Sequence, residues 1–152
     1  MTTINLTTKI KASKKVIFDL SRNIDIHKLS TAKSNESAID GITSGLINKG
    51  ETVTWRGKHF GIYLTHQSII SAMEIPTYFV DEMIEGEFKS FKHEHSFIDR
   101  KGFVMMIDKI QYQTPYGILG KLFDVLLLKK HLTNFITERN KVLKYLAENH
   151  QK

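Results

Sequence analysis

Residues 51–112 alternate between apolar and polar positions in short segments that are separated by turn-forming groups. Such alternation is typical of strands that cover a core with one face. The short links between the segments predict hairpins, and therefore an antiparallel meander. The predicted strands are Glu51–Gly61, Tyr63–Met73, Tyr78–Ile84, Phe88–Ile98 and Phe103–Tyr112.

After the meander, Pro115-Tyr116-Gly117 opens a predicted helix that runs to about Glu148 and is roughly 45 Å long. Apolar residues recur along it at helical spacing. Its first half is apolar on nearly every side, as in Leu126–Leu128, so we expect it to be covered on most sides or to line a pocket. The recurring positions are Leu119, Leu122, Phe123, Leu126, Phe135, Ile136, Leu143 and Leu146.

The segment before the meander predicts a first strand over Ile4–Ile10 and a helix over Lys14–Leu20 that Ser13 caps. A second short helix is predicted through Ile26–Leu29, followed by a polar loop over 31–41 and a short irregular strand over Ile42–Ile47. The expected architecture is α+β. A curved antiparallel sheet of six to seven strands wraps around the long C-terminal helix, and two short helices follow the first strand.

Composition narrows the functional classes. The 152 residues fit one domain over 1–152, and the absence of cysteine excludes disulfides and thiolate metal sites. No apolar leader is present, and no segment is long enough to span a bilayer, so we expect a cytoplasmic protein. The net charge is +6, but the lysines are scattered singly among acids, which argues against nucleic-acid binding. No phosphate-binding glycine loop, G-x-S-x-G elbow or H-E-x-x-H motif occurs.

His93-Glu94-His95 carries the most suggestive chemistry. On a strand, His93 and His95 share one face with Phe91 and Phe97, and that face points inward. The two imidazoles could ligate a metal with His59, Asp81 or Glu82, act as acid and base, contact a ligand, or make structural hydrogen bonds. Since no further metal motif is present, we predict neither a metal nor a cofactor.

Charged residues elsewhere are expected to form ion pairs. Asp81 is expected to pair with Lys89 or Lys92 on the next strand, and Asp108 with Arg56 or Arg100. Two further arginines leave two interpretations open: Arg22 and Arg139 could flank a cavity mouth and attract an anionic head group, or form salt bridges at helix ends.

The element order and several local strings resemble the SRPBCC superfamily, which is also called START-like or Bet v 1-like, and in particular its small bacterial polyketide cyclase/dehydrase-like branch. The resemblance covers essentially the whole chain. The strings are Ser21-Arg22 with His27, Gly50–Trp55, His59-Phe60-Gly61, Phe79–Met83, Gly86–Lys89, Phe91–Phe97, Asp108, Pro115, Gly117, Gly120 and Arg139.

This resemblance implies a helix-grip fold with a hydrophobic cavity between the sheet and the long helix. It implies binding of a lipid, a polyketide or a similar apolar molecule, and the alternative is a cyclase or dehydratase that uses a cavity histidine as acid and base. A third possibility is an interaction protein with a filled core. The expected polar contacts are Trp55, His59, His93 and His95. The expected apolar walls are Phe60, Phe79, Met83, Phe91, Phe97, Phe103, Met105, Leu119, Phe123 and Leu126.

Overall fold

The computed structural model describes residues 1–150, in which seven antiparallel strands form one sheet in the order β1-β7-β6-β5-β4-β3-β2. The meander β3 to β7 pairs sequential neighbours, as the short links require. β1 then pairs with β7, and β2 pairs with β3 at the other edge. The strands are β1 Thr2–Ile10, β2 Ser37–Gly41, β3 Thr52–His59, β4 Ile62–Glu74, β5 Tyr78–Glu85, β6 Ser90–Arg100 and β7 Phe103–Gln113.

Two short helices follow β1. Helix α1 (Lys14–Ser21) begins at Ser13, whose hydroxyl accepts a hydrogen bond from the amide of Val16, and α2 (Ile24–Ser30) begins at Asn23. The C-terminal helical segment is 32 residues long. It comprises α3 (Gly117–Phe123), a π-helical turn (Asp124–Leu128) and α4 (Lys129–Glu148). This arrangement confirms the predicted helix-grip fold.

The core lies between the concave face of the sheet and the inward face of α4. Ile136, Leu143 and Ala147 of α4 are each at most 6% exposed, and their spacing places them on one helical face. Near α1, the core contains Phe18 between Phe79 and Phe97, with ring centroids 5.6 and 5.4 Å away. These aromatic contacts hold α1 against the sheet. Within residues 1–150, no helix combines the length and apolar character that crossing a membrane requires.

The structure corrects the prediction in two segments. Residues 42–47 do not form a strand with their own ladder, because the pairing with β3 is made by Ser37–Gly41, which had been predicted as loop. The first half of the C-terminal helix is not covered on most sides. Leu119 and Leu126 are 75% and 64% exposed, and the inward stripe is Gly120, Asp124 and Leu128 instead.

Candidate functional site

A cavity of about 160 Å³ lies between the sheet and the start of α4. Its walls are mostly apolar, and one end carries imidazole and carboxylate groups. The lining residues are Glu36, Trp55, Gly57, His59, Phe60, Leu64, Thr65, His66, Glu87, Phe88, Phe91, His93, Leu128, His131, Leu132, Phe135 and Ile136.

The polar end is a series of contacting side chains from α2, β3, α4 and the residue before β2. Nε2 of His27 lies 3.1 Å from Oε2 of Glu36, and Nε2 of His59 lies 3.2 Å from Oε1 of the same carboxylate. Nδ1 of His59 is 2.9 Å from Nε2 of His131, which reaches in from α4. Because Glu36 precedes β2 and β2 pairs with β3, the edge of the sheet brings the carboxylate over the histidine of β3.

Gly57 makes room for this carboxylate. A Cβ atom at Gly57 would lie 2.8 Å from Oε1 of Glu36, which is closer than a carbon and an oxygen can approach. The lack of a side chain at Gly57 therefore leaves the space that the Glu36 carboxylate occupies. Any side chain at position 57 would displace Glu36 from its two histidines.

Glu36 is ionised in this environment. Burial alone would raise the pKa of Glu36, but the hydrogen bonds from His27 and His59 outweigh it and lower the pKa to about 2. An ionised carboxylate only accepts, so Nε2 of both histidines carries the proton. Nδ1 of His59 faces Nε2 of His131, so this contact holds one proton between the two rings and leaves Nδ1 of His131 outside it.

His131 is the outermost member of this chain. Burial, together with the neighbouring His59, lowers the pKa of His131, so its ring is neutral near pH 7. Among the described residues, Nδ1 of His131 has no hydrogen-bond partner. Burial also lowers the pKa of His66, a second imidazole in the lining, and holds it in the neutral form.

A second polar cluster lies deeper, around Asp108. This carboxylate is fully buried on β7, and Oδ1 lies 2.7 Å from Nε2 of His93 on the adjacent strand β6. Oδ2 accepts from the side-chain amide of Asn140 at 2.7 Å, and the Arg139 guanidinium is 3.7 Å from Oδ1. Burial opposes ionisation of Asp108, but the hydrogen bond from His93 and the proximity of His95 hold its pKa well below the ordinary value.

His95 lies beside the Asp108 carboxylate without forming a hydrogen bond to it. Its Nδ1 is 3.1 Å from Oδ1 of Asp108, although the ring orientation does not give that contact hydrogen-bond geometry. Its ring stacks on Phe79 with centroids 4.1 Å apart, and it lies tilted against the His93 ring at 3.8 Å. Burial, followed by the proximity of His93, lowers the pKa of His95 well below its usual value, so the ring is neutral.

The nitrogen and oxygen atoms of His93, His95 and Asp108 lie within 4.8 Å of one another, which is compact enough for a cation. The charges favour a hydrogen-bonded network instead. Arg139 places a positive group beside the same oxygen, and the second oxygen is occupied by Asn140. The proposed third ligands His59 and Asp81 do not belong to this group.

The residues predicted to contact a ligand do not all line the same cavity. Trp55, His59, Phe91 and His93 line the cavity, as does Phe60. Phe79 and His95 line a smaller hollow of about 50 Å³, which shares Trp55 and His93 with the cavity.

The other predicted wall residues lie outside the lining. Phe97 packs in the core, and Met83 is half-buried beside Gly86. Phe103 and Met105 alternate with the buried Val104 and Met106, so they occupy the opposite face of β7. Leu119, Phe123 and Leu126 are exposed on the helix.

The predicted ion pairs of Asp108 and Asp81 are wrong. Asp108 contacts His93, Asn140 and Arg139 instead of Arg56 or Arg100, because it shares the inward face of β7 with Met106 and Ile110. Lys92 pairs with Glu94, leaving Oδ1 of Asp81 buried without a partner in the described chain.

The arginines do not line the cavity of about 160 Å³, but both line the smaller hollow of about 50 Å³. Arg22 is buried, and its guanidinium pairs with Asp19 at 2.9 Å, which is the alternative helix-end salt bridge. Arg139 is 3% exposed and donates to the carbonyl of Ser21 at 3.3 Å. Both guanidinium groups already have partners within the protein, Arg22 in Asp19 and Arg139 in Ser21 and Asn140.

Sequence reasoning missed Glu36, His66 and His131. One signal existed for His131: the residues Leu128, His131, Leu132 and Phe135 have the spacing of one helical face, and that face lines the cavity. No comparable signal marks Glu36, since its partners are distant in sequence and its own segment is polar.

No protein-family model matches the sequence, and no curated protein matches it. Solved structures do match across nearly the full chain. TTHA0849 from Thermus thermophilus has a TM-score of 0.77 at 12% identity, covering 99% of this chain and 100% of that one. Major latex-like protein 151 from Panax ginseng has a TM-score of 0.72 at 14% identity, covering 96% and 97%.

The KanY protein has a TM-score of 0.77 at 12% identity, covering 97% of this chain and 98% of that one. At these identities the likeness concerns the fold, and it supports the resemblance noted in the sequence: the chain has a Bet v 1-like fold.

Proposed function

We propose that the protein binds a small hydrophobic molecule in the cavity between the sheet and α4, with a polar group of the ligand directed at His131. The observation that carries this proposal is the contrast within one cavity. Leu64, Phe88 and Phe91 supply apolar walls, whereas His131 offers an imidazole nitrogen that has no partner among the described residues. Binding sites for small molecules commonly combine apolar walls with a few placed polar groups.

The size of the cavity limits what can enter. About 160 Å³ accommodates one or two fused rings, or the end of a longer lipid or polyketide chain. The remainder of a longer ligand would extend along the rim, where Phe60 is 48% exposed. A ligand of this kind is buried at one end and solvated at the other.

The charge at the polar end selects the ligand's head group. Glu36 is anionic and lies behind His59, so a second carboxylate at this end would be repelled. We assign the proton of neutral His131 to Nε2, which then donates to Nδ1 of His59. Nδ1 of His131 is an acceptor in this tautomer, and therefore suits a hydroxyl or an N–H donor. We infer that a neutral apolar molecule with one donor group is preferred to an acid of the same shape.

Calorimetric titration with matched probes tests this proposal. Naphthalene, 1-naphthol and 1-naphthoate share one ring system and differ in the polar group. We expect 1-naphthol to bind tightest and 1-naphthoate weakest, and fluorescence of Trp55, the single tryptophan, to change on binding. His131→Ala should abolish the preference for 1-naphthol over naphthalene, because the acceptor is gone.

Leu132→Trp fills the cavity and should weaken binding of all three probes. Tyr145→Ala, an exposed apolar position outside the lining, is the matched control and should leave the affinities unchanged. Absence of binding by all three probes, or equal binding by wild type and Leu132→Trp, would refute the proposal.

A second candidate function is acid–base catalysis of the cyclase or dehydratase type. The chain Glu36–His59–His131 favours it, because a carboxylate orients one imidazole that in turn orients a neutral imidazole at the cavity. Nδ1 of His131 could then take a proton from a carbon between two carbonyl groups.

Exchange of the central protons of acetylacetone in deuterium oxide, followed by NMR, measures this step. Catalysis predicts faster exchange than an equal concentration of imidazole gives, and a loss of that acceleration in His131→Ala. Exchange no faster than imidazole would leave only the binding function.

A further inference from the structure

The segment formed by α3 and the π-helical turn exposes a continuous apolar surface. Ile118, Val125 and Leu119 are 84%, 79% and 75% exposed, and their spacing places them together on one side of the segment. We call this surface the apolar face. It consists of Tyr116, Ile118, Leu119, Leu122, Val125 and Leu126, all at least 55% exposed.

The orientation of this segment is fixed by its inward side. Gly120 is buried against the preceding loop, and a Cβ atom there would lie 1.8 Å from the carbonyl oxygen of Pro115. One turn later Asp124 accepts hydrogen bonds from the hydroxyls of Thr2 and Tyr112. The helix therefore cannot rotate to bury its apolar face without breaking these contacts, so the exposure is a stable property of the fold.

The loop between β3 and β4 extends the same surface. The ring of Phe60 packs against Phe123 with centroids 5.2 Å apart, and the adjacent Ile62 is 60% exposed. Both elements lie at the end of the sheet where β7 leads into α3. Apolar side chains from two elements thus form one surface at that end of the molecule.

The charges on this segment have one sign. Lys121 projects beside the apolar face, and Lys129 and Lys130 follow its last turn, all of them exposed. The only carboxylate between residues 114 and 137 is Asp124, which is buried beneath the segment. An apolar helical face bordered by lysines complements an anionic lipid surface.

We propose that the apolar face docks on the surface of a bilayer that contains anionic phospholipids. The segment over residues 117–128 is roughly 18 Å long, which is far too short to span a bilayer but sufficient to lie in its interface. The lysines favour this occupant over a second copy of the chain, because a symmetric contact would bring the like charges of two copies together.

Docking would place the cavity beside the membrane, since Phe60 belongs both to this surface and to the cavity lining. The docking proposal does not depend on ligand binding, because it rests on residues of which most lie outside the lining. A protein that binds vesicles and takes up no naphthalene probe would retain the docking surface and lose the proposed function.

Vesicle co-sedimentation tests the proposal with the full chain. Wild type is expected to bind vesicles of 70% phosphatidylcholine and 30% phosphatidylglycerol, and to bind pure phosphatidylcholine much more weakly. The triple variant Ile118→Gln, Leu119→Gln, Val125→Gln should reduce the partition coefficient about tenfold or more. Lys129→Gln with Lys130→Gln should reduce it about fivefold for each lysine.

A charge-matched control is Lys49→Gln with Lys101→Gln, two exposed positions away from the face, and it should bind almost as wild type does. The chain has no cysteine, so Val125→Cys can carry a unique environment-sensitive dye, with Lys101→Cys as its partner control. Vesicles should shift the emission only of the dye at position 125.

Equal partitioning of wild type and the triple variant would overturn the proposal. So would a wild-type dimer in sedimentation equilibrium that the triple variant abolishes, if neither protein binds the vesicles. That second result would assign the apolar face to a second copy of the chain.

Discussion

We expect the loss of the Asp108 charge to destabilise the fold more than the loss of any other single charge. Asp108→Asn measures the contribution of this charge to the free energy of unfolding. The substitution preserves the shape of the side chain and removes only its charge. In the wild type, the carboxylate is fully buried, contacts His93 and Asn140 at 2.7 Å each, and lies 3.7 Å from Arg139. An amide would remove the charge that stabilises the buried Arg139 guanidinium most, and its NH₂ would face either His93 or Asn140, both of which donate to the carboxylate in the wild type.

Removing one partner from a buried charge pair typically costs about 3–5 kcal/mol. Because the amide still accepts one hydrogen bond, we expect Asp108→Asn to lower the free energy of unfolding by roughly 3 kcal/mol at pH 7. Urea unfolding followed by circular dichroism and by Trp55 fluorescence gives this value. The slope with urea should not change, since the folded and unfolded surfaces stay the same.

Asp99→Asn is the matched control. The Asp99 side chain is 64% exposed and pairs with Lys14 at 2.8 Å, so its loss should cost less than about 1 kcal/mol. The double variant Asp108→Asn, Arg139→Met should be less destabilised than the sum of its single variants, because no buried positive charge remains unpaired. If Asp108→Asn costs no more than Asp99→Asn, the argument that a buried ion network organises this core is wrong.

Three further predictions concern other parts of the structure. The pKa of Glu36 falls from 4.5 to about 2 on folding, so its contribution to the free energy of unfolding is present above pH 4.5 and is lost as the pH falls toward 2. Glu36→Gln should remove roughly 3 kcal/mol of this acid-dependent stability. Urea unfolding curves measured across that pH range give the value. Gly120→Ala should lower the melting temperature strongly in a calorimetric scan, whereas Ile118→Ala, on the exposed side of the same turn, should hardly change it. Burial and the hydrogen bond to Asp124 raise the pKa of Tyr112, so Asp124→Asn should lower that pKa in an NMR titration; an unchanged value would show that Asp124 does not contact the phenol.

The fold could be predicted because its signals are local. Each hairpin of the meander has its own alternation and its own turn, and the inward face of β6 was readable from Phe91, His93, His95 and Phe97 together. The turn residues fixed the order of the strands, and one long helical pattern remained to cover the concave face. No distant contact had to be known for this step.

The strand β7 shows where the same reasoning fails. Phe103 and Met105 alternate with Val104 and Met106, so both faces of its first half are apolar and the alternation does not choose between them. Pairing with β6 and β1 makes the choice, placing Val104 and Met106 inside. The alternation alone therefore could not show that Phe103 and Met105 lie on the outer face.

The polar end of the cavity was inaccessible to sequence reasoning for a different reason. Glu36, His59 and His131 are separated by 23 and 72 residues along the chain, and only the closure of the sheet edge onto α4 brings them together. The Glu36 segment reads as polar loop until the pairing of β2 with β3 is known. Sites assembled from distant elements leave no local periodicity.

The π-helical turn links the exposed apolar face to the cavity wall. In a regular α-helix, every step of four residues advances about 40° beyond a full turn, so a stripe with four-residue spacing gradually rotates off the sheet. A π turn holds more residues per turn and cancels part of that drift. The stripe Gly120, Asp124, Leu128, Leu132 and Ile136 can therefore stay on the inward side across the junction.

The inward stripe begins with a glycine and a carboxylate and ends with cavity-lining aliphatic residues, so the same helical register sets both regions. Anchoring Asp124 to Thr2 and Tyr112 directs Leu128 and Leu132 into the cavity, and at the same time it turns Leu122 and Val125 toward solvent. Burying the outward residues would require a rotation that also removes the aliphatic wall from the cavity. The exposed apolar face is thus the geometric counterpart of the cavity wall, because one helix cannot present both sides to the sheet.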